Sequence, residues 1–392
     1  MKMPRSIAFL PVLLYDKVIR STKSALFETD CQGAGGVHMG ERRGKYPTIK
    51  DVARLANTST ATVSYVLSGN TDRLISLELR DRVLDAAEEL HYTKSAVASS
   101  LRVNRRGLVF LLIPQFSNIY FTRACESLED VIIANDFLPM ICDTREDPER
   151  ERKLIENAVA QRADGIILGP TSSGWKNTAI LRKLNIPYVV VGREISPDKD
   201  SQEESDTYFV GDDSYQAGFL AGQCFARNGH RRIGVIEWNG TVSSAMDRSM
   251  GFYEGIRRQL RNGGSLEVES SDVLSTEEGY RLTRELLQRT RPTALFFGYH
   301  SYAQGGVRYL AEMGLSVPED ISVIMVGTPD WAQFSSPKYH TIYQSEDWVG
   351  STAGRILMAQ LQGEESPLLT KRRYICPCQL IEGNSVKDLT RL

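Results

Sequence analysis

The chain has 392 residues, 41% of them hydrophobic and 24% charged, with a formal net charge of -2, a balance that fits a folded chain of two or three domains and excludes a disordered or low-complexity polymer. The six cysteines are scattered, and the one-residue spacing of Cys376 and Cys378 suits no common zinc or redox signature, so a reduced, cytoplasmic protein without metal or cofactor is expected. Charge is unevenly spread: residues 42 to 106 carry twelve Lys/Arg against seven Asp/Glu, a contiguous basic stretch of the kind a polyanion recognises.

In chain order, the apolar run Ile7 to Tyr15 follows Lys2 and Arg5. It lacks a clean small-residue cleavage site and is interrupted by Asp16 and Lys17, which argues against a secretion signal. No run approaches the length needed to span a bilayer, so no membrane partner is expected. Residues 1–45 read as a disordered extension, with Met39 as an alternative start. A small domain follows over 46–94. Ile49, Val52, Ala53 and Ala56 repeat at helical spacing, and Thr48 with Asp51 makes a capping-box start. After Asn57-Thr58, Ser59 caps a second helix whose inner face is Val63, Val66 and Leu67. Leu79, Val83, Ala86, Ala87 and Leu90 define a third helix that closes a three-helix core.

Amphipathic helices alone favour a generic three-helix bundle. The outward face of the second helix separates the two readings. Thr60, Ala61, Thr62, Ser64 and Tyr65 present small hydroxyl and methyl groups where a merely solvated helix carries long charged side chains, and such groups can approach base edges in a major groove. Lys50, Arg54, Arg73 and Arg80, with the Arg42-Arg43-Lys45 arm, are available for phosphate contacts.

The ordered set Thr48-Ile-Lys-Asp-Val-Ala53, Ser59-Thr-Ala-Thr-Val-Ser64, Val66-Leu67, Arg82-Val-Leu and Leu90-His-Tyr92 resembles the head-piece of the lactose-repressor and purine-repressor (LacI/GalR) family of transcription regulators. Ser95 to Arg102 resembles that family's hinge. The resemblance implies a hinge and linker over 95–106 that enters the minor groove through Ala98, Leu101 and Arg102. An apolar wedge there can unstack a base step and kink the duplex. It also implies phosphate contacts from Thr48, Lys50, Ser59, Asn70 and Tyr92. The chain departs at Tyr65, which cannot grip guanine with two hydrogen bonds, and at Lys94 and Ser99 in the hinge.

From Leu108 short apolar runs alternate with helix-length segments: Leu108 to Ile113, Phe137 to Cys142, Gly165 to Leu168, Tyr188 to Val191, Ile233 to Ile236, Ala294 to Phe297 and Ile321 to Val326. This alternation predicts parallel strands with crossover helices in two similar α/β lobes with a cleft between them. A dinucleotide-binding oxidoreductase would alternate in the same way, but the first strand runs into Pro114-Gln115-Phe116 without a glycine-rich turn. The five dispersed histidines suggest no nucleophile and base, so no enzyme is expected.

The large segment resembles the two-lobed periplasmic-binding-protein-like (type I) effector domain of the same family, through Ser117 to Phe121, Asp147 to Glu151, Asp164-Gly165, Ala217-Gly218, Arg248 before Gly251-Phe252, and Val317 to Ile321. The fold expected is therefore an all-α helix-turn-helix head-piece plus an α/β effector domain over 107–392. Lobe 1 covers about 107–210 and 344–366, and lobe 2 about 211–343 and 367–392. The resemblance implies an effector cleft lined by Tyr120, Phe121, Arg193, Arg248, Tyr299, His300, Asp330 and Trp331. Relatives' carboxylates are replaced by Tyr299-His300, Thr328-Pro329 and Gly192, so an anionic, aromatic or unusual sugar is favoured over a plain hexose. The function implied is a regulator, expected to repress, that binds a pseudo-palindromic double-stranded operator as a homodimer under control of a carbohydrate-like effector. The alternative is an extracytoplasmic solute-binding protein of the same two-lobed fold.

Overall fold

The structure, a computed structural model, describes residues 47–68, 75–92, 105–196, 206–363 and 365–390. These fall into two compact units, one before and one after the 94/95 boundary. The proposed extension 1–45, Asn70 and the hinge residues Ala98, Leu101 and Arg102 lie outside the described residues.

Among the described residues the first unit has three helices, α1 (Ile49–Leu55), α2 (Thr60–Leu67) and α3 (Leu77–Glu89). Each start is fixed locally. Asp51 accepts from the Thr48 backbone N–H at 2.9 Å and its hydroxyl at 2.6 Å; Ser59 accepts from the Thr62 N–H at 3.1 Å and Ser76 from the Leu79 N–H at 3.3 Å. These bonds satisfy orphan donors of the first turns. Val52, Val63 and Val83, one from each helix, are fully buried at the centre with Ala53, Ala56, Val66, Ala86 and Ala87 around them. Burial of each valine contributes about 1.5–3 kcal/mol, and the small alanines let short helices meet closely.

The second unit holds two six-stranded sheets. The first comprises β1 (Leu108–Ile113), β2 (Leu138–Asp143), β3 (Gly165–Leu168), β4 (Tyr188–Val191), β5 (Tyr208–Asp212) and β11 (Arg373–Cys376), in the order β11-β5-β4-β3-β1-β2, all parallel. The second comprises β6 (Arg232–Trp238), β7 (Ser265–Ser271), β8 (Ala294–Phe297), β9 (Ser322–Val326), β10 (His340–Tyr343) and β12 (Gln379–Ile381). Its order is β12-β10-β9-β8-β6-β7, with only β12 antiparallel. The five sequential strands of each sheet have the same order, so the lobes repeat one doubly wound topology.

Helices cover both faces: α4 (Ile119–Ala134), α5 (Pro148–Ala160), the short α6 (Gly174–Asn177) and α7 (Ala179–Lys183) in lobe 1; α8 (Ser214–Arg227), α9 (Ser243–Arg261), α10 (Thr276–Arg289), α11 (His300–Glu312) and the short α12 (Asp330–Phe334) in lobe 2. After β10 the chain returns to lobe 1, where α13 (Glu346–Gln362) buries Val349, Ala353, Ile356 and Leu357 against the core of α4 and its sheet. The sequence expectation that 367–392 belongs wholly to lobe 2 is corrected here: β11 pairs with β5 in lobe 1, and only β12 crosses to lobe 2. The backbone hydrogen bonds of β5 provide an open edge that the returning chain completes.

Three crossovers therefore join the lobes, near residues 213, 345 and 377, and they are laced together. Asp212 Oδ1 accepts from the Ser345 N–H at 2.8 Å. The Asp213 N–H donates to the Cys376 carbonyl at 2.9 Å, and the Cys378 N–H donates to Gln216 Oε1 at 2.8 Å.

Candidate functional site

Parallel strands direct their carboxyl ends to one edge of a sheet, and in such folds ligands gather there. Here the two edges face each other across a polar cavity. Its lining comes from the ends of β1 (Asn118, Tyr120, Phe121), β4 (Gly192, Arg193), β5 (Asp212), β8 (Tyr299, His300), β9 (Gly327) and β10 (Gln344), with Arg248 and Ser244 from α9 and Glu346 from α13.

Tyr120 and Phe121 are held at the first turn of α4 by Asn118, whose Oδ1 accepts from the Tyr120 N–H at 3.2 Å. Their rings meet edge to face, with centroids 5.1 Å apart, and both are buried. Gly192 lies at φ +70, and a Cβ there would sit 2.8 Å from the Tyr120 ring, so only glycine lets this wall form. Arg248 is fixed by the approach of α8 to α9: a Cβ on Gly218 would lie 1.9 Å from the Arg248 carbonyl oxygen, and one on Gly251 1.9 Å from that of Tyr215. From that helix Arg248 Nη1 donates to the Gly298 carbonyl at 2.6 Å, and its guanidinium carbon lies 4.5 Å from the Tyr299 ring centroid. Cation–π attraction favours this placement.

Of the eight residues expected at the cleft, Tyr120, Phe121, Arg248, Tyr299 and His300 line the cavity. Arg193 also lines it but is committed to the protein. It donates to both carboxylate oxygens of Glu146, at 2.8 and 2.6 Å, and to the Pro170 carbonyl at 3.0 Å. Asp330 and Trp331 do not line the cavity. The Asp330 side chain is 84% exposed and pairs with Arg123 at 2.7 Å, bridging the two lobes at the surface, while Trp331 packs on Tyr339 with centroids 5.7 Å apart.

Two carboxyl groups were missed. Asp212 and Glu346 both line the cavity and are 7% and 4% exposed, so the expected scarcity of carboxylates does not hold. Burial pushes the Asp212 carboxyl up, opposed by the Ser345 N–H, Tyr120 and Arg248. Burial likewise raises Glu346 to about 7, with Arg123 opposing and Asp212 and Asp347 adding to the shift. Burial brings His300 down to about 4, leaving a neutral imidazole at pH 7. The Arg248 Nε and the Tyr299 hydroxyl are buried without a hydrogen-bond partner among the described residues, and Asp212 Oδ2 and the Tyr120 hydroxyl, which interact with each other, meet no second partner there. Unsatisfied groups concentrated in one cavity mark a site built to hold a polar ligand. A carboxylate closing an apolar run, as Asp212 closes Tyr208 to Gly211, was the available sequence signal.

In the three-helix unit, Thr60 and Ala61 are exposed, and Thr62, Ser64 and Tyr65 are half-buried, whereas Val63 and Val66 of the same helix are buried. Thr62 Oγ1 lies 2.9 Å from Ser59 Oγ, so these two hydroxyls share the cap. Lys50 is exposed, Thr48 is bonded to Asp51, and Tyr92 packs against the core.

A capped helix-turn-helix unit and a two-lobed α/β unit enclosing a polar cavity define a ligand-responsive regulatory protein. Residues 48–95 match the model for bacterial regulatory proteins of the lacI family, and residues 223–386 that for a periplasmic binding protein-like domain. The HTH-type transcriptional repressor PurR of Klebsiella pneumoniae (strain 342) is 33% identical over 338 residues, covering 84% of this chain and 96% of that protein. A LacI-family transcriptional regulator from Silicibacter pomeroyi superposes with a TM-score of 0.73 at 26% identity, covering 87% of this chain and 99% of the other. The lac repressor dimer bound to operator and the anti-inducer ONPF gives the same TM-score of 0.73 at 22% identity, over 88% of this chain and 100% of that one. The chain belongs to the lacI family of bacterial regulatory proteins.

Proposed function

We propose that this protein is a transcriptional repressor that binds a pseudo-palindromic operator as a homodimer and is controlled by a small polar effector held between its lobes. Thr60, Ala61, Thr62, Ser64 and Tyr65 read the major groove, with Lys50 and Ser59 on phosphates and Leu101 in the minor groove. It acts in the cytoplasm, by binding rather than catalysis. The effector contacts Tyr120, Phe121, Arg248, Tyr299 and His300, and also Asp212 and Glu346.

The observation that carries this reading is the double position of Asp212. One carboxylate oxygen holds the crossover at Ser345 while the carboxylate also meets Tyr120 and Arg248 in the cavity, so a ligand that engages this group bears directly on the segments that set lobe orientation. Ligand preference for one lobe arrangement then shifts the population competent for DNA. Kinship with the repressor PurR, and likeness of fold to the lac repressor dimer bound to operator and the anti-inducer ONPF, support this reading. Selection of duplexes from random DNA, with and without candidate metabolites, tests it. A palindromic consensus whose recovery depends on a metabolite is expected; failure to retain any duplex at low salt overturns it.

A further inference from the structure

A second cavity, of about 320 Å³, adjoins the first. Arg193 lines both, and of two successive residues of α9 Ser244 lines the first and Ser243 the second. The walls of the second come from Ser172, Ser173 and Trp175, which follow β3 in lobe 1, and from Thr241, Ser243 and Met246, which follow β6 in lobe 2. Its volume is that of a small-ligand pocket. The Ser243 hydroxyl accepts from the Glu194 N–H at 2.8 Å, so the lobes are bonded to each other at this wall. The lobe 1 side is held by a buried acid. Glu151 is fully buried and accepts from the Thr171 N–H at 2.6 Å, from the Thr171 hydroxyl at 3.0 Å and from Asn177 Nδ2 at 2.7 Å. Burying a carboxyl is costly unless donors surround it, and these three donors sit at the two ends of the segment that carries Ser172, Ser173 and Trp175. Trp175 is pinned in turn by Arg182, whose guanidinium carbon stands 3.7 Å from the ring centroid and whose Nη2 donates to the Trp175 carbonyl at 3.0 Å. The wall is thus organised by the protein itself, which lowers the ordering cost of binding.

Two of the charged groups in this cavity are committed: Arg193 to both oxygens of Glu146, and Glu194 to Arg373, whose Nε donates to it at 2.9 Å. Beside Lys176, the remaining polar side chains of the lining are hydroxyl groups. Hydroxyls beside an indole suit an uncharged ring that carries its own hydroxyls and a flat carbon face, as a sugar ring does. We propose that this outer cavity is a second sugar-ring subsite and that the effector is a two-ring carbohydrate, with one ring in the cavity at Arg248 and Tyr120 and the other between Trp175 and Thr241. The inference rests on the effector reading above. The outer ring touches both lobes beside the Glu194–Ser243 bond, so its contacts depend on the lobe arrangement and add to the population shift.

Calorimetric titration of the full-length chain with D-glucose and D-galactose, and with maltose, cellobiose, lactose and trehalose, tests it. One of the disaccharides is expected to bind at least about tenfold more tightly than its component monosaccharides. Thr241→Trp fills the outer cavity from an exposed position, and is expected to bring that disaccharide to within about twofold of the monosaccharide. The ratio of the two affinities is the readout, so general damage to the fold, which weakens both, does not imitate the result. A monosaccharide that binds as tightly as every disaccharide overturns the second subsite and leaves the effector reading standing. A disaccharide whose advantage survives Thr241→Trp has its second ring elsewhere and overturns the subsite as well. Failure of every sugar to bind overturns the carbohydrate subsite, while the duplex selection with metabolites still decides the effector reading.

Discussion

Arg193 was expected to grip a ligand, and the structure makes it a clamp within lobe 1, which can be tested by removing its partner. Its side chain is 3% exposed and that of Glu146 19%. The guanidinium sits 5.4 Å from the Phe121 ring and 5.1 Å from that of Trp238. Glu146→Ala leaves this cation buried with only the Pro170 carbonyl among its present hydrogen-bond acceptors. Breaking a buried pair from one side costs about 3–5 kcal/mol, because the remaining charge is uncompensated. Replacing both partners by apolar residues of similar volume is far cheaper. All four tryptophans, Trp175, Trp238, Trp331 and Trp348, lie in the two-lobed unit, so tryptophan fluorescence during urea denaturation reports that unit alone. With a denaturant slope of about 3 kcal/mol/M, the single variant is expected to unfold on the order of 1 M earlier. The double variant Glu146→Leu/Arg193→Met is expected to recover most of the difference. A single variant within about 1 kcal/mol of wild type, or a double variant no better than the single, would refute the reasoning.

Ala61→Glu places a negative charge on an exposed position of α2, so operator affinity measured by fluorescence anisotropy is expected to fall at least about tenfold. Stability should change by no more than about 0.5 kcal/mol, and unchanged affinity removes α2 from the DNA interface. Gly251→Ala forces α9 away from the Tyr215 carbonyl, which a Cβ would approach to 1.9 Å. Overpacking of this kind costs about 1–3 kcal/mol, and it should weaken effector binding by displacing Arg248; a variant normal in both respects contradicts the placement of that arginine. Asp330→Asn removes a surface pair worth about 0–1 kcal/mol and is expected to leave effector affinity within about twofold of wild type. A large loss by calorimetry would return Asp330 to the site.

The three short helices were legible because their signals are local. Caps at Thr48 and Ser59 and apolar residues spaced by three and four fix helix starts and inner faces within a few residues of chain. The buried strands β1, β3, β4, β6, β8 and β9 were legible for the same reason, as continuous apolar runs. The strands β7, β10, β11 and β12 were not read: Ser265 to Ser271, His340 to Tyr343, Arg373 to Cys376 and Gln379 to Ile381 mix polar and apolar residues, and pairing with an existing sheet, not composition, makes them strands. That omission hid the course of the last chain segment and its crossing between lobes. Missing β5 hid Asp212 as well. Arg248 could be assigned through a family resemblance, whereas Asp212 and Glu346 come to line one cavity only where β5 ends and α13 begins, 134 residues apart in sequence. Sequence spacing determines which side chains share a helix face; it does not determine which strand ends converge on one cavity, or that burial there changes the charge a carboxyl carries, because both depend on how far separated segments exclude water together.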